Sequence, residues 1–350
     1  SGLIGTVNTQ INSEILPSIH TTPEAAPLQA LFATMKEQHC RAVAMEVSSH
    51  ALVQHRTSGT KFKVAGFTNL TQDHLDFHGD MERYFQAKSQ LFQYGSSELA
   101  VINIDDVYGS RLAELIQIPV IKISRNQKAD WYFEEIVKIG SSTQIKIRGK
   151  DGILIEGYTS LIGEFNLDNL LMAIAIAVIS GVDPIEISAN LPKYLGAPGR
   201  LEQVKVGQDF LAFVDYAHTP DAVANVLKTA RAMTTGKLIA VLGCGGDRDK
   251  TKRPLMAKAL TAADIPIFTS DNPRSENPET ILQEMVDGLA HTGEVIVDRR
   301  AAIAKAVKLA KTGDVVAILG KGHEIGQEIL GVKHPFDDRK VLAEEIANLK

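Results

Sequence analysis

Cysteine is nearly absent: Cys40 and Cys244 are the only two among 350 residues. That excludes a disulfide framework and fits a reducing compartment. Charge of one sign is lacking too, since 42 acids against 37 bases leave a formal net charge of −5. So mild a balance argues against a general nucleic-acid or membrane-surface binder, although a local basic pocket stays open. No apolar run approaches the roughly 18 residues of a membrane span. The opening SGLIGTVNTQ has no charged stretch followed by an apolar one, so no secretory signal is read there and a cytoplasmic setting is expected. Thirteen prolines and 27 glycines are ordinary numbers, which excludes collagen-like and broadly disordered chains.

Familiar catalytic patterns are missing as well. The chain has no GxxxxGK[ST] phosphate loop, and Gly320-Lys321-Gly322-His323 imitates one without its spacing or its hydroxyl residue. His323-Glu324 reaches Gln327 where a zinc-protease helix needs a second histidine. Gly243-Cys244-Gly245-Gly246 does not complete a dinucleotide fingerprint, and the cysteines form no CxxC pair.

What is present is a 44% hydrophobic, 23% charged chain, long enough for roughly two domains. Ala42–Met45, Val64–Phe67 and Leu99–Asn103 read as buried strands, separated by helical periodicity over Ala25–Gln38 and Met81–Tyr94. Such alternation predicts an α/β fold with a mostly parallel sheet. Trp131–Ile136, Thr143–Arg148 and Gly152–Tyr158 instead predict a small antiparallel set, and Asn166–Gly181 an apolar helix. A second α/β series follows: strands at Phe210–Asp215, Leu238–Leu242, Pro266–Ser270, Glu294–Val297 and Val315–Leu319, helices at Asp221–Met233, Ile281–Leu289 and Ala301–Ala310. The Pro198-Gly199 connection suggests a hinge, placing domains at residues 1–198 and 199–350.

Candidate chemistry gathers at predicted strand ends, where open α/β sheets bind ligands. Glu46 ends the first strand; Asp73-His74-Leu75-Asp76 follows the second and is expected at the same sheet edge; Lys88 lies in the next helix. Taken singly, Glu46 reads equally well as a solvated strand-end acid, while His74 and Lys88 read first as surface groups. Three denser turns leave strands of the second series: Gly243–Lys250, Asp271-Asn272-Pro273-Arg274 and Gly320–Glu324. Guanidinium, amide and carboxylate groups together can surround a small zwitterion, arginine taking its carboxylate and the acids its ammonium.

AMEVSSHALVQHR, FTNLTQDHLDFHGDMERYFQAK, GEFNLDNLLMA, VDYAHTPDA, GCGGDRDKTKRPLM, DNPR and GKGHE occur in that order. Together they resemble the Mur ligases over essentially the whole chain, and most closely the branch that makes the UDP-N-acetylmuramoyl-tripeptide of peptidoglycan. The resemblance implies a central ATPase domain followed by a Rossmann-like C-terminal domain, acting in the cytoplasm as a monomer. It implies an amide ligase using ATP and Mg2+. In the implied reaction the γ-carboxylate of UDP-MurNAc-L-Ala-D-Glu becomes an acyl phosphate, from which the amine of meso-2,6-diaminopimelate then displaces phosphate to form the amide. A UDP-binding domain and a GTNGKT-type phosphate loop are expected before Ser1, so ligase activity of these 350 residues alone is not expected.

By the same resemblance, Glu46, His74 and Lys88 match the magnesium-site residues, Lys88 as a carbamylated lysine (N6-carboxylysine). Thr21, Thr22, Ser48, Gln54 and Arg56 match positions that hold the UDP-MurNAc-dipeptide. Asn166 and Asn169 match the adenine-side asparagines, for which helix capping is the plainer reading; Arg200, Asp215 and, less directly, His218 match groups that reach ATP on domain closure. Arg248, Asp271, Asn272, Arg274, Gly320 and Glu324 match the amino-acid pocket, and the DNPR form implies diaminopimelate. Addition of L-lysine, a folylpolyglutamate synthetase and a non-catalytic amino-acid-binding module are the rival readings, and an isolated hydrolase built on Glu46 and His74 is a poorer one.

Overall fold

A computed structural model describes residues 1–139, 142–289 and 293–349. The chain divides into two compact units, 1–161 with 165–194, and 162–164 with 195–350.

The first unit opens with an antiparallel meander, β1 (Gly2–Ile4), β2 (Asn8–Ile11) and β3 (Glu14–Pro17). Helix α1 (Ala25–Glu37) then leads to β4 (Val43–Met45), which pairs in parallel with β1 to give the order β3-β2-β1-β4. Ile4, Ile11, Leu28 and Met35 form its small core. The expectation that Ala42–Met45 is buried is corrected: β4 is an edge strand, and Val43 and Ala44 are exposed. After α2 (Ser49–Val53), β5 (Ala65–Phe67) starts a different sheet. The expectation that Glu46 and His74 open from one sheet edge is therefore corrected as well.

That second sheet runs through α3 (Leu75–His78), α4 (Met81–Ser89), β6 (Ala100–Asn103), α5 (Val107–Leu115), β7 (Val120–Ser124), β8 (Trp131–Ile139), β9 (Ser142–Arg148) and β10 (Leu154–Thr159). Strands β5 to β8 are parallel and β8 to β10 antiparallel. Helix α6 (Glu164–Ile179) packs its Leu167, Leu170, Leu171 and Ile174 into a core with Trp131, Ile145 and Ile155. A short α7 (Pro184–Asn190) closes the unit, capped by Asp183 with Pro184 in its first turn.

The second unit is a six-stranded sheet in the order β11 (Glu202–Gln203), β12 (Leu211–Asp215), β16 (Val315–Leu319), β13 (Leu238–Leu242), β14 (Ile265–Phe268), β15 (Glu294–Val295). All but β11 are parallel. Every residue of β13 and β16 is buried, the reason these strands read as unbroken aliphatic runs. Helices α8 (Pro220–Arg231), α9 (Lys252–Leu260), α10 (Pro278–Val286), α11 (Arg299–Leu309) and α12 (Asp338–Ala347) cover the sheet, and β17 (Gly326–Ile329) with β18 (Val332–Pro335) forms a hairpin. Because β16, last of the parallel strands in sequence, inserts between β12 and β13, the strand order reverses there, where such sheets form a crevice. Gly199 is locked into this unit. It sits at φ +70°, its carbonyl accepts from Tyr216 N at 2.8 Å, and a Cβ there would lie 2.2 Å from His323 N.

Candidate functional site

In the first unit one hydrogen-bond network gathers six of the singled-out residues. Thr6 Oγ1 donates to Glu46 Oε2 at 2.6 Å and lies 3.0 Å from Thr21 Oγ1. Thr22 Oγ1 donates to the Glu46 carbonyl at 2.9 Å and accepts from Ser48 N at 3.0 Å. Ser48 in turn caps α2 by accepting from Ala51 N. Arg56 reaches back with Nη1 to the Thr22 carbonyl, with Nε to Gln54 Oε1 (both 2.9 Å), and with Nη2 to Glu24 at 2.8 Å. The result is a polar surface carrying hydroxyls, a carboxylate and a guanidinium, suited to an oxygen-rich ligand.

His74 stands beside this network without an ion pair to Glu46 among the described residues. Its backbone is left-handed, φ 54°, and its ring meets that of His50, on α2, at 4.8 Å. The Tyr84 ring lies 6.1 Å from that of His74 and 5.3 Å from Lys88 Nζ. Burial lowers the Lys88 pKa below the usual lysine value, and Asp73 opposes the shift. The sequence reading passed over His50, His78 and Tyr84. His78 stacks on Tyr84 at 4.9 Å and bonds Ser49 Oγ at 2.9 Å, so these residues tie α2 to α3 and α4.

A cleft of about 250 Å³ opens at the carboxyl ends of β5, β6 and β7. Asn69, Asn103, Arg125, Asp168, Asn169 and Met172 are among the residues that line it, and Arg125 Nε holds Asp168 at 2.8 Å. Asn169 faces it, as does Asn69 of the TNL segment, which sequence reasoning missed. Asn166 is buried in the first turn of α6, inside the helix, so the capping alternative is corrected.

In the second unit the turns after β12, β13, β14 and β16 meet. Asn272 Nδ2 donates to Glu324 Oε2 at 2.8 Å, and Lys321 Nζ donates to that oxygen and to Asn272 Oδ1, both at 2.9 Å. Arg274 has a left-handed backbone, φ 51°, that β17 stabilises: Arg274 N donates to the Glu328 carbonyl and Leu330 N to the Arg274 carbonyl. Its Nη1 donates to the Gly246 carbonyl at 2.7 Å. A Cβ on Gly245 would lie 2.9 Å from Arg274 Nη1 and 3.7 Å from Arg248 Cγ, so both arginines approach this turn. Gly320 abuts Asp271, whose carboxyl is pushed up by burial and held down chiefly by Lys321. Glu324 lies below the ordinary glutamate range: burial raises it, but Lys321 and Asn272 outweigh that. Gln327, which spoiled the zinc motif, instead donates to the Asp271 carbonyl at 2.7 Å.

Asp215 is buried, with Oδ2 accepting from Leu201 N and Oδ1 from Ala217 N, each at 2.8 Å. Burial pushes its pKa up against those two bonds. Arg200 is exposed over the Tyr216 ring at 5.3 Å, and His218 Nδ1 lies 2.9 Å from the Tyr216 carbonyl. Lys321 and the Arg299–Asp338 pair beneath the β14 and β16 ends were missed by sequence reasoning. A lysine one glycine beyond the buried strand VVAIL was the available clue.

A model of the Mur ligase middle domain matches residues 1–177, and one of the Mur ligase glutamate ligase domain matches residues 199–322. The UDP-N-acetylmuramoyl-L-alanyl-D-glutamate–2,6-diaminopimelate ligase of Streptomyces coelicolor is 50% identical, the match covering 99% of this chain and 70% of the relative. The ligase of the same name from Aquifex aeolicus is 45% identical over 98% of this chain and 71% of its own length. A solved structure of a ligase of that name superposes with a TM-score of 0.69 at 38% identity, covering 99% of this chain and 72% of that one. With both domain models matched and relatives 45–50% identical over nearly all of it, the chain belongs to the Mur ligase family.

Proposed function

We propose that the chain is the catalytic portion of an ATP-dependent amide ligase that joins meso-2,6-diaminopimelate to the D-glutamyl γ-carboxylate of UDP-MurNAc-L-Ala-D-Glu, a cytoplasmic step of peptidoglycan precursor synthesis. The observation that carries this reading is the second-unit pocket. Arg274 and Arg248 flank Gly245 while Glu324 and Asn272 are held by the buried Lys321, so cationic forks and a carboxylate coexist in one place. Such a set fits an amino acid bearing a second carboxylate; L-lysine lacks the group that Arg274 would clasp through Nη2, its Nη1 being held by the Gly246 carbonyl.

In the proposed reaction the γ-carboxylate oxygen attacks the γ-phosphorus of ATP, the bond to ADP breaks, and an acyl phosphate forms. The substrate amine, having lost a proton, attacks the acyl carbon, the C–O bond to phosphate breaks, and inorganic phosphate leaves with the amide formed. Asn169 and the cleft after β5 to β7 are assigned to the nucleotide base, with Asn166 buried behind it. Arg200, Asp215 and His218 are assigned to the nucleotide from the second unit. Thr21, Ser48, Gln54 and Arg56 are assigned to the sugar-dipeptide, whose hydroxyl and carboxylate oxygens suit their donors, and Thr22, its buried hydroxyl committed to the Glu46 carbonyl, is assigned to hold that segment in place.

Magnesium fits the donor chemistry in part. Glu46 offers a carboxylate and His74 an imidazole, and the lowered pKa of Lys88 favours the free amine that adds CO2 and becomes an anionic oxygen ligand. Among the described residues no three histidine, cysteine or acidic side chains close a cation shell, so phosphate and water oxygens would complete it. When bound, the ion offsets phosphate charge. Calorimetry on the chain with meso-diaminopimelate and L-lysine tests the specificity, and ATP-dependent amide formation by a form extended with the expected phosphate loop tests the activity. Tighter or equal binding of L-lysine would sink the specificity; binding of diaminopimelate with no affinity for ATP would favour a binding module.

A further inference from the structure

Lys321 is unexplained by this scheme. Its side chain has no solvent exposure, a state that lysine tolerates only when its charge is compensated. Nζ donates to Asn272 Oδ1 and Glu324 Oε2 and stands 4.0 Å from Asp271 Oδ1. Asn272 Oδ1 also accepts from Glu328 N at 3.0 Å, which fixes which way the amide faces. Glu324 Oε2 is thus occupied twice, whereas no hydrogen bond engages Oε1 among the described residues.

We propose that Lys321 is a positioning residue for the incoming amino acid, turning Glu324 so that Oε1 is offered to the substrate ammonium and Asn272 so that its free amide hydrogen points to the same ligand. The proposal rests on the amino-acid-binding reading above. Five groups face the Glu324 carboxyl electrostatically: Lys321 and His323 from its own turn, Asp271 after β14, Tyr216 after β12 and Arg299 of α11. Arg299 is already committed to Asp338, and Asp271 disfavours a second anion. Lys321 is therefore the cation that keeps Glu324 charged against its burial.

Lys321→Met keeps an unbranched side chain, one heavy atom shorter, and removes the charge. The first measurement is a 13C-carboxyl titration of the glutamate-labelled chain, with Glu324 assigned by the resonance that disappears in Glu324→Gln. Glu324 is expected to titrate below the ordinary glutamate value in the unsubstituted chain and above it in Lys321→Met. The second is calorimetric affinity for meso-diaminopimelate against pH. A raised Glu324 pKa leaves the carboxyl neutral as pH falls, so the variant should lose affinity as pH drops through that raised pKa, roughly tenfold or about 1.4 kcal/mol one unit below it, and recover as pH rises. An unchanged Glu324 titration, or a loss equal at every pH, overturns the proposal. Should Lys321→Met not fold, Lys321→Gln retains a donor without the charge and gives the same comparison. If the unsubstituted chain binds no amino acid, the ligase reading fails, while the Glu324 titration still decides whether Lys321 governs that carboxyl.

Discussion

Arg299 and Asp338 face each other at 2.6 Å with neither side chain reaching solvent. The same guanidinium donates to the carbonyls of Ser270 and Leu319, so one buried ion pair holds the ends of β14 and β16 where the amino-acid pocket begins. Asp338→Asn leaves a buried cation uncompensated and is expected to cost roughly 3–5 kcal/mol of stability. Chemical denaturation of both forms measures it; a loss under about 1 kcal/mol would mean that water reaches the pair.

Arg274→Ala is expected to weaken meso-diaminopimelate by at least about tenfold while sparing L-lysine, since a lost charged hydrogen bond is worth about 1.5–3 kcal/mol. Parallel titrations of both amino acids provide the check. Equal losses would show that Arg274 shapes the turn and does not read the distal carboxylate.

Glu276 receives both Nη atoms of Arg253, at 3.0 and 2.8 Å, and its pKa is lowered to about 2, first by that bond and then by Asp247 N. A depressed carboxyl pKa contributes stability above its unfolded value, lost as pH falls toward the folded one. Stability should therefore decline between about pH 4.5 and pH 2, and Glu276→Gln should flatten this segment of the unfolding curve. An unchanged slope in the variant would remove Glu276 from the acid response.

The two thiols should separate cleanly. Cys244 is buried against Met256 and its pKa is pushed up to about 12 by desolvation, whereas Cys40 is half-buried. One equivalent of an alkylating reagent should label Cys40 in the native chain, with Cys244 reacting only on unfolding. Peptide mapping after labelling reads this out, and early modification of Cys244 would refute it.

Much of the sheet was legible because buried parallel strands are aliphatic throughout, as in Leu238–Leu242 and Val315–Leu319. Ala42–Met45 misled for the same reason: its residues look like core, yet an edge position exposes them. Glu46 and Arg274 were found because each follows a strand. Arg299 and Asp338 were not, since 39 residues separate them and neither type announces burial. Lys321 hid within a failed phosphate-loop pattern, its role appearing only once Asn272 and Glu324 were brought to it.

The pairing of Arg274 with Ile329 gives the DNPR turn the character of a miniature sheet edge whose template is the β17–β18 hairpin. A transplanted DNPR tetrapeptide would then arrive without its mould. Redesigning which amino acid this scaffold accepts is accordingly a matter of grafting two sequence-distant segments together, the hairpin as well as the turn.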